Sequence, residues 1–327
     1  MPTSKPIPFD GTGRMRFIKD RWQMKNFFKF FFRFLVTLGY RLSLQHQIPS
    51  VQNHKETVVK HEHSSFFIVA HPDDIELFMG REARHQILEQ PLTKKIFIVL
   101  SAGDANRKNR RKPFREITWW EARERAHTEA IRFWDQYRHP AIESEVEIHG
   151  HHFFKITIGP SIILYNLRLT DADKTTSLDT LVQNKNQHIF DLTYDQAYSL
   201  DDIQNILFDL VQHETQGLDK ANFYIMDESY KRNPQDHKDH KATSVLFRDI
   251  YPKFSHLDKN LYGYLTYFIK DKEINLQDED REKSFATWTV IADELEKYGY
   301  KRNDDPHHMQ WVGKEYNSYT VRELNEK

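Results

Sequence analysis

The chain has no cysteine among its 327 residues. That excludes disulfides and thiolate metal ligands, and it fits a reducing compartment, so a cytoplasmic location is the expectation. An excess of either charge is lacking too. Lys and Arg number 47, Asp and Glu 48, and the net charge is −1. No global field draws the protein to nucleic acid, and no nucleic-acid partner is expected. A long apolar run is also missing. Asn26 to Leu42 (NFFKFFFRFLVTLGYRL) is aromatic, but it is short and interrupted by Lys29 and Arg33, which rules it out as a bilayer span. It has no small-residue cleavage site of a secretory signal. No internal repeat is present.

What is there centres on Ser64 to Gly80, SSFFIVAHPDDIELFMG. Phe66 to Ala70 is an uninterrupted apolar run, the pattern of a strand buried on both faces of a parallel sheet. Pro72 has no N–H for a ladder and should end it. His71, Asp73 and Asp74 then stand at the carboxyl end of a buried strand, where open α/β sheets bind ligands. Ile75 to Glu89 reads as one helix with Ile75, Phe78, Met79, Ala83 and Ile87 inward. His71 and Asp74, three apart, can converge on one divalent ion, with zinc the best match to mixed nitrogen and oxygen donors. Asp73 points elsewhere and is free to act as a base. Alone, His-Pro-Asp-Asp is equally a polar turn.

A second cluster follows another apolar run, Phe223 to Met226. It reads NPQDHKDHKATS and holds His237, Asp239 and His240. His240 can complete a two-His, one-Asp site with a position open to water. His237 lies beside the metal rather than on it. Taken alone, this stretch is a solvated charged loop. Two such clusters, each just after a buried-strand pattern, favour a metal centre.

AHPDD at Ala70–Asp74 and H-x-D-H at His237–His240 resemble the two motifs of the PIG-L or LmbE-like zinc-dependent deacetylases, over about Phe66 to Ala292. The resemblance implies zinc ligands His71, Asp74 and His240. It implies Asp73 as general base and His237 as the group that stabilises the oxyanion, in its protonated form. The implied substrate is an N-acetylglucosamine-type sugar in a glycan or glycolipid, free or lipid-linked, with another divalent ion such as iron or cobalt able to take zinc's place. Arg123, on the Trp119–Trp134 helix, matches a family arginine that reaches substrate. Gly103 and Asp104, after the Lys95–Leu100 strand, match a segment lining the substrate site. The family Glu that directly follows AHPDD is displaced here to Glu76 by Ile75, and the acidic residue three places after the arginine is Ala126. Other readings of the motifs are a zinc amidohydrolase on another N-acyl molecule and a non-catalytic glycan-binding protein.

Strand, helix, strand from Phe66 to Leu100 is a βαβ unit. The expectation is an α/β fold, a Rossmann-like three-layer sandwich with a mostly parallel central sheet and the active site at the carboxyl ends of its strands. Residues 1–45 read as a basic, aromatic extension, 46–60 as a linker and 46–327 as the deacetylase domain. The extension carries Arg14, Arg16, Lys19, Arg21, Lys25, Lys29, Arg33 and Arg41. As an amphipathic helix, residues 14–42 would lie on the inner face of an anionic membrane, or would pack their aromatics on the domain or a second subunit. Arg107 to Arg115 reads as a basic lid or a solvated loop. Val146–Ile163 and Leu164–Leu169 read as strands turning at Gly159-Pro160. Further expectations are helices from Ser199 to about His213 and near Asp278–Tyr298, and a strand over Leu261–Phe268.

Overall fold

The apolar runs become the middle of one sheet. In the computed structural model, residues 59–105, 117–171 and 176–324 are described. The 1–45 extension, nearly all of the linker after it and the Arg107–Arg115 run lie outside the described residues. The elements are β1 (His63–Val69), α1 (Asp74–Phe78), α2 (Gly80–Glu89), β2 (Thr93–Ser101), α3 (Trp119–Trp134), β3 (Ala141–Ile148), β4 (His151–Ile158), β5 (Ile162–Leu169) and α4 (Leu178–Gln183). A two-residue pair, β6 (Ile189–Phe190) and β7 (Ala197–Tyr198), leads to α5 (Leu200–Glu214), β8 (Lys220–Met226), α6 (Lys238–Ile250), β9 (Asp258–Tyr264), α7 (Asp278–Lys297), α8 (Pro306–Met309) and β10 (Asn317–Glu323).

The eight-stranded sheet runs β10-β9-β8-β1-β2-β5-β4-β3. Its five middle strands are mutually parallel, and β10, β4 and β3 are antiparallel additions at the two edges. The fold is therefore α/β with a mostly parallel sheet, as the βαβ pattern predicts. β1 lies between β2, its successor in the chain, and β8, which arrives much later. That reversal of strand order opens a crevice at the carboxyl ends of β1 and β8, where the two polar clusters emerge.

Side chains alternate across the sheet. Phe66 and Ile68 join Phe223 and Ile225 on the face covered by α5 and α6, through Ile203, Ile206, Leu207, Leu210, Leu246 and Phe247. Phe67 points the other way. It stacks on Phe97 at 5.1 Å and on Tyr224 at 4.4 Å, and Tyr224 stacks on Tyr262 at 4.8 Å. This aromatic row crosses four adjacent strands, and α2 reaches it through Gln86, whose amide donates to the Tyr224 hydroxyl at 2.6 Å. α3 packs along α7. Its start is fixed by a capping box, Thr118 Oγ1 accepting from Glu121 N–H and Glu121 Oε2 from Thr118 N–H.

Three local expectations differ from the structure. The single helix over Ile75–Glu89 is two, because Met79 leaves helical geometry (φ −136°, ψ 13°). The second helix then has its own N-terminus, where Glu315 Oε2 accepts from Arg81 N–H at 2.7 Å. That partner lies far along the chain, and no local pattern announces it. The strand expected over Val146–Ile163 is a hairpin, since His149 (φ 53°) and Gly150 (φ 71°) make a two-residue turn with both residues left-handed. The strand expected to reach Phe268 ends at Tyr264, and Tyr267–Asp271 is a 3-10 turn. Among the described residues no helix is long and apolar enough to cross a membrane.

The aromatic row makes Phe67, fully buried, a sensitive point. Phe67→Ala is expected to cost about 3–5 kcal/mol in urea denaturation, and Phe67→Leu clearly less. A loss within experimental error for Phe67→Ala would mean that the row does not hold the sheet.

Candidate metal centre

β1 ends at Val69, and a tight turn through Pro72 follows. The His71 backbone N–H donates to Asp74 Oδ2 at 2.7 Å, and Asp74 N–H donates back to the His71 carbonyl at 3.3 Å. Between them Asp73 has φ 130° and ψ −14°, a conformation that costs a non-glycine residue about 1–3 kcal/mol. Arg123 of α3 holds it there, donating from Nη2 to Asp73 Oδ1 at 2.6 Å and from Nη1 to the Gly103 carbonyl at 2.5 Å. Gly103 has φ 61°, and a Cβ on it would lie 2.0 Å from Arg123 Nη1. Glycine is thus the residue that lets the guanidinium cross. One helical turn on, His127 Nδ1 pairs with Glu76 Oε1 at 2.7 Å, both side chains fully buried. Arg123 and His127 share one face of α3 and clamp that helix to the turn.

The second cluster comes from the loop between β8 and α6. His237 caps α6, its Nδ1 accepting from Asp239 N–H at 3.3 Å. His240, in the first turn, is fully buried. Its Nε2 lies 3.1 Å from His71 Nδ1 and 3.1 Å from Asp74 Oδ1, and His71 Nδ1 lies 3.4 Å from Asp74 Oδ2. A tetrahedral divalent ion with bonds near those of nitrogen and oxygen ligands spaces its donors roughly 3.3–3.6 Å apart. Two imidazole nitrogens and a carboxylate at 3.1–3.4 Å fit that requirement closely. The His71, His237 and His240 rings also bring one nitrogen each within 4.8 Å of one another.

A further layer surrounds these groups. Asp171, at the end of β5, sits 3.4 Å from His71 Nε2, and its N–H donates to Asp104 Oδ1 at 2.9 Å. His71, Asp171, His237 and Asp239 form a second group with one donor atom each inside 4.8 Å. Asp236 Oδ1 lies 2.7 Å from His240 Nδ1. The Tyr267 ring packs 5.1 Å from the His240 ring and stacks on Trp311 at 4.9 Å.

The structure thus brings His71, Asp73, Asp74, Arg123, His237 and His240 together. Gly103 and Asp104 reach the same mouth, where both are buried, one making room for Arg123 and the other holding Asp171. Sequence reasoning missed Asp171, Asp236 and Tyr267. Asp236 stands four residues before His240, the spacing of side chains that meet over one helical turn, and was legible. Asp171 follows a parallel strand, a weaker signal. Tyr267 had none.

Charge is densely arranged here. Burial disfavours ionised Asp74, but the His240 and His71 imidazoles outweigh it and hold the carboxyl well below its usual range. Burial likewise opposes charge on the imidazoles. Asp171 and Asp74 nonetheless raise His71 well above its ordinary value, and Asp74 and Asp236 raise His240 to about 9. His237 moves the opposite way. Burial, then the His71 and His240 rings, push it down to about 3. Burial thus opposes the protonated form of His237 expected above. Because Nδ1 accepts from Asp239 N–H, its own proton sits on Nε2. Burial raises Asp73, against the lowering effect of Arg123, and pushes Asp239 up to about 6.

No protein-family model and no curated protein sequence matches the chain. Solved structures do. N,N'-diacetylchitobiose deacetylase from Pyrococcus horikoshii is similar at 16% identity over 83% of each chain, TM-score 0.41. A deacetylase from the teicoplanin biosynthesis pathway is similar at 12% identity over 80% of this chain and 98% of its own, TM-score 0.40. Deacetylases of the LmbE and PIG-L type are among the structural neighbours. So is the 4-carboxy-2-hydroxymuconate hydratase of Pseudomonas putida, at 11% identity over 72% of this chain and 83% of its own, TM-score 0.37. The reaction has to be argued from the side chains.

The Arg123 crossing can be tested without any substrate. Gly103→Ala puts a side chain at a left-handed position and into the guanidinium, and is expected to cost about 1–3 kcal/mol in chemical denaturation. An unchanged midpoint would show that Arg123 does not need the gap.

Proposed function

We propose that the chain is a metal-dependent hydrolase that removes the acetyl group from an N-acetylglucosamine-type sugar, with zinc held by His71, Asp74 and His240. The observation that carries this reading is the donor triangle of two imidazole nitrogens and one carboxylate, with Asp73 and His237 beside it. When bound, zinc supplies Lewis acidity, polarising the amide carbonyl and acidifying water. The protein's own groups do the rest. Asp73 accepts the proton of the attacking water, and Arg123 and the strained turn fix the carboxylate that receives it. The Nε2–H of neutral His237 donates to the oxyanion of the tetrahedral intermediate. Asp73 then returns the proton to the leaving amine, so that acetate and the free amino sugar result. Arg123, Gly103 and Asp104 are proposed to border the sugar, with Arg123 also serving Asp73.

The proposal predicts chelator-sensitive acetate release from a panel of N-acetylated sugars, presented free, nucleotide-linked and lipid-linked. Asp73→Asn should keep bound zinc and lose about 10²–10⁴ in turnover. Full activity of that variant would remove Asp73 from the base role, and absence of acetate from every sugar would reject the sugar substrate.

A pH profile adds an independent check. Asp73 must be ionised to accept a proton, and Arg123 favours the ionised form. Arg123→Met therefore raises the Asp73 pKa, and the acid limb of kcat/KM should move to higher pH. A limb that stays in place, or moves down, would show that the limb belongs to another group.

A further inference from the structure

Asp236 stands just before the H-x-D-H cluster, outside the residues that the motif accounts for. Its side chain is fully buried. Oδ1 faces three donors: His240 Nδ1 at 2.7 Å, the His237 backbone N–H at 2.8 Å and the Thr266 hydroxyl. Oδ2 accepts from Asn233 Nδ2 at 2.9 Å. Every partner is a donor, so the carboxylate accepts throughout and the His240 proton on that side is assigned to Nδ1. Asn233 and Thr266 are themselves tied together. Asn233 Nδ2 donates to Thr266 Oγ1 at 2.9 Å and to the Asp227 carbonyl at 3.0 Å, and Asn233 Oδ1 accepts from Thr266 N–H at 3.2 Å. The clasp joins the loop after β8 to the residue two past the end of β9.

We propose that Asp236 is the positioning residue of the metal centre. It sets the tautomer and the ring orientation of His240, so that Nε2 presents its lone pair toward His71 Nδ1 and Asp74 Oδ1. The inference rests on the zinc reading above and goes beyond the ligand set. A carboxylate behind a ligating imidazole fixes its orientation and strengthens it as a donor. Here the carboxylate is in turn hydrogen-bonded by Asn233 and Thr266. The corresponding carboxylate behind His71, Asp171, stands farther off, 3.4 Å from Nε2.

The alternative is that Asp236 only stabilises the start of α6 through the His237 N–H. Two variants separate the roles. Asp236→Asn nearly preserves size but turns an amide N–H₂ toward donors. Thr266→Val removes one strut and leaves the Asp236–His240 bond in place. Zinc affinity would be measured on each variant by competition with a chromophoric chelator, and unfolding by chemical denaturation. Asp236→Asn should weaken zinc about 10–100-fold. Thr266→Val should lose stability and still hold zinc nearly as tightly as the parent. Parental zinc affinity in Asp236→Asn, or affinity falling in both variants in step with stability, would overturn the positioning role. Should Asp236→Asn not fold, the parent itself decides. In zinc-loaded protein carrying ¹⁵N at histidine Nδ1, the His240 nitrogen should bear a proton that exchanges slowly with water. A bare Nδ1, or a proton exchanging as fast as that of an exposed imidazole, would reject the inference. A parent that binds no zinc at all would instead reject the zinc reading, a result distinct from a changed ratio between variant and parent.

Discussion

Several carboxylates share one buried mouth, and their charge has to be answered. Asp74, Asp104, Asp171 and Asp239 are each under 5% exposed, the Asp236 side chain is fully buried, and the Asp73 side chain is 14% exposed. Ionised carboxylates taken from water without partners cost several kcal/mol each. Much of the surrounding sequence follows from that demand. Arg123 crosses to Asp73, and Gly103 lacks a side chain so that it can. His71 and His240 turn toward Asp74. Asn233 and Thr266 close on Asp236. The carboxylates favour charge on His71 and His240 against the opposing effect of burial, and a divalent cation at their meeting point would meet the same demand with one centre.

The fold supplies this mouth cheaply. A strand buried on both faces must end somewhere, and β1 ends between β2 and β8, which lie on opposite sides of it and are far apart in the chain. Polar groups placed after β1, β2, β5 and β8 therefore meet at one crevice although they lie far apart in sequence. An architecture of this kind does not by itself choose a reaction. The proposed reaction rests on the combination of a donor triangle, a strained carboxylate beside it and an imidazole, His237, whose Nδ1 accepts from Asp239 N–H.

The donor side of the candidate site was legible because its residues are local. Ala70–Asp74 and His237–His240 are short motifs after strong apolar runs, and both the strands and the site they flank were readable from pattern alone. The parallel sheet was legible for the same reason. What was not legible depends on distant partners. Glu315 gives the second helix its start, Asp171 backs His71, and Tyr267 packs His240, and each comes from a segment with no local signal of the contact. Asp236 is the intermediate case, visible in spacing but without meaning until Thr266 and Asn233 are seen to hold it. The downward push on the His237 pKa also needed three dimensions, because burial and two neighbouring rings cause it. The extension at residues 1–45 and the Arg107–Arg115 run lie outside the described residues, and their roles stand as sequence expectations.

The central claim is that two imidazoles and one carboxylate of this chain converge on a single divalent ion. X-ray absorption at the zinc edge of the loaded protein tests it most directly. The account predicts one zinc per chain, a first shell of nitrogen and oxygen at about 2.0–2.1 Å, and outer-shell scattering from two imidazole rings that falls to one ring in His240→Ala. A shell without imidazole scattering, or one unchanged by that substitution, would contradict it.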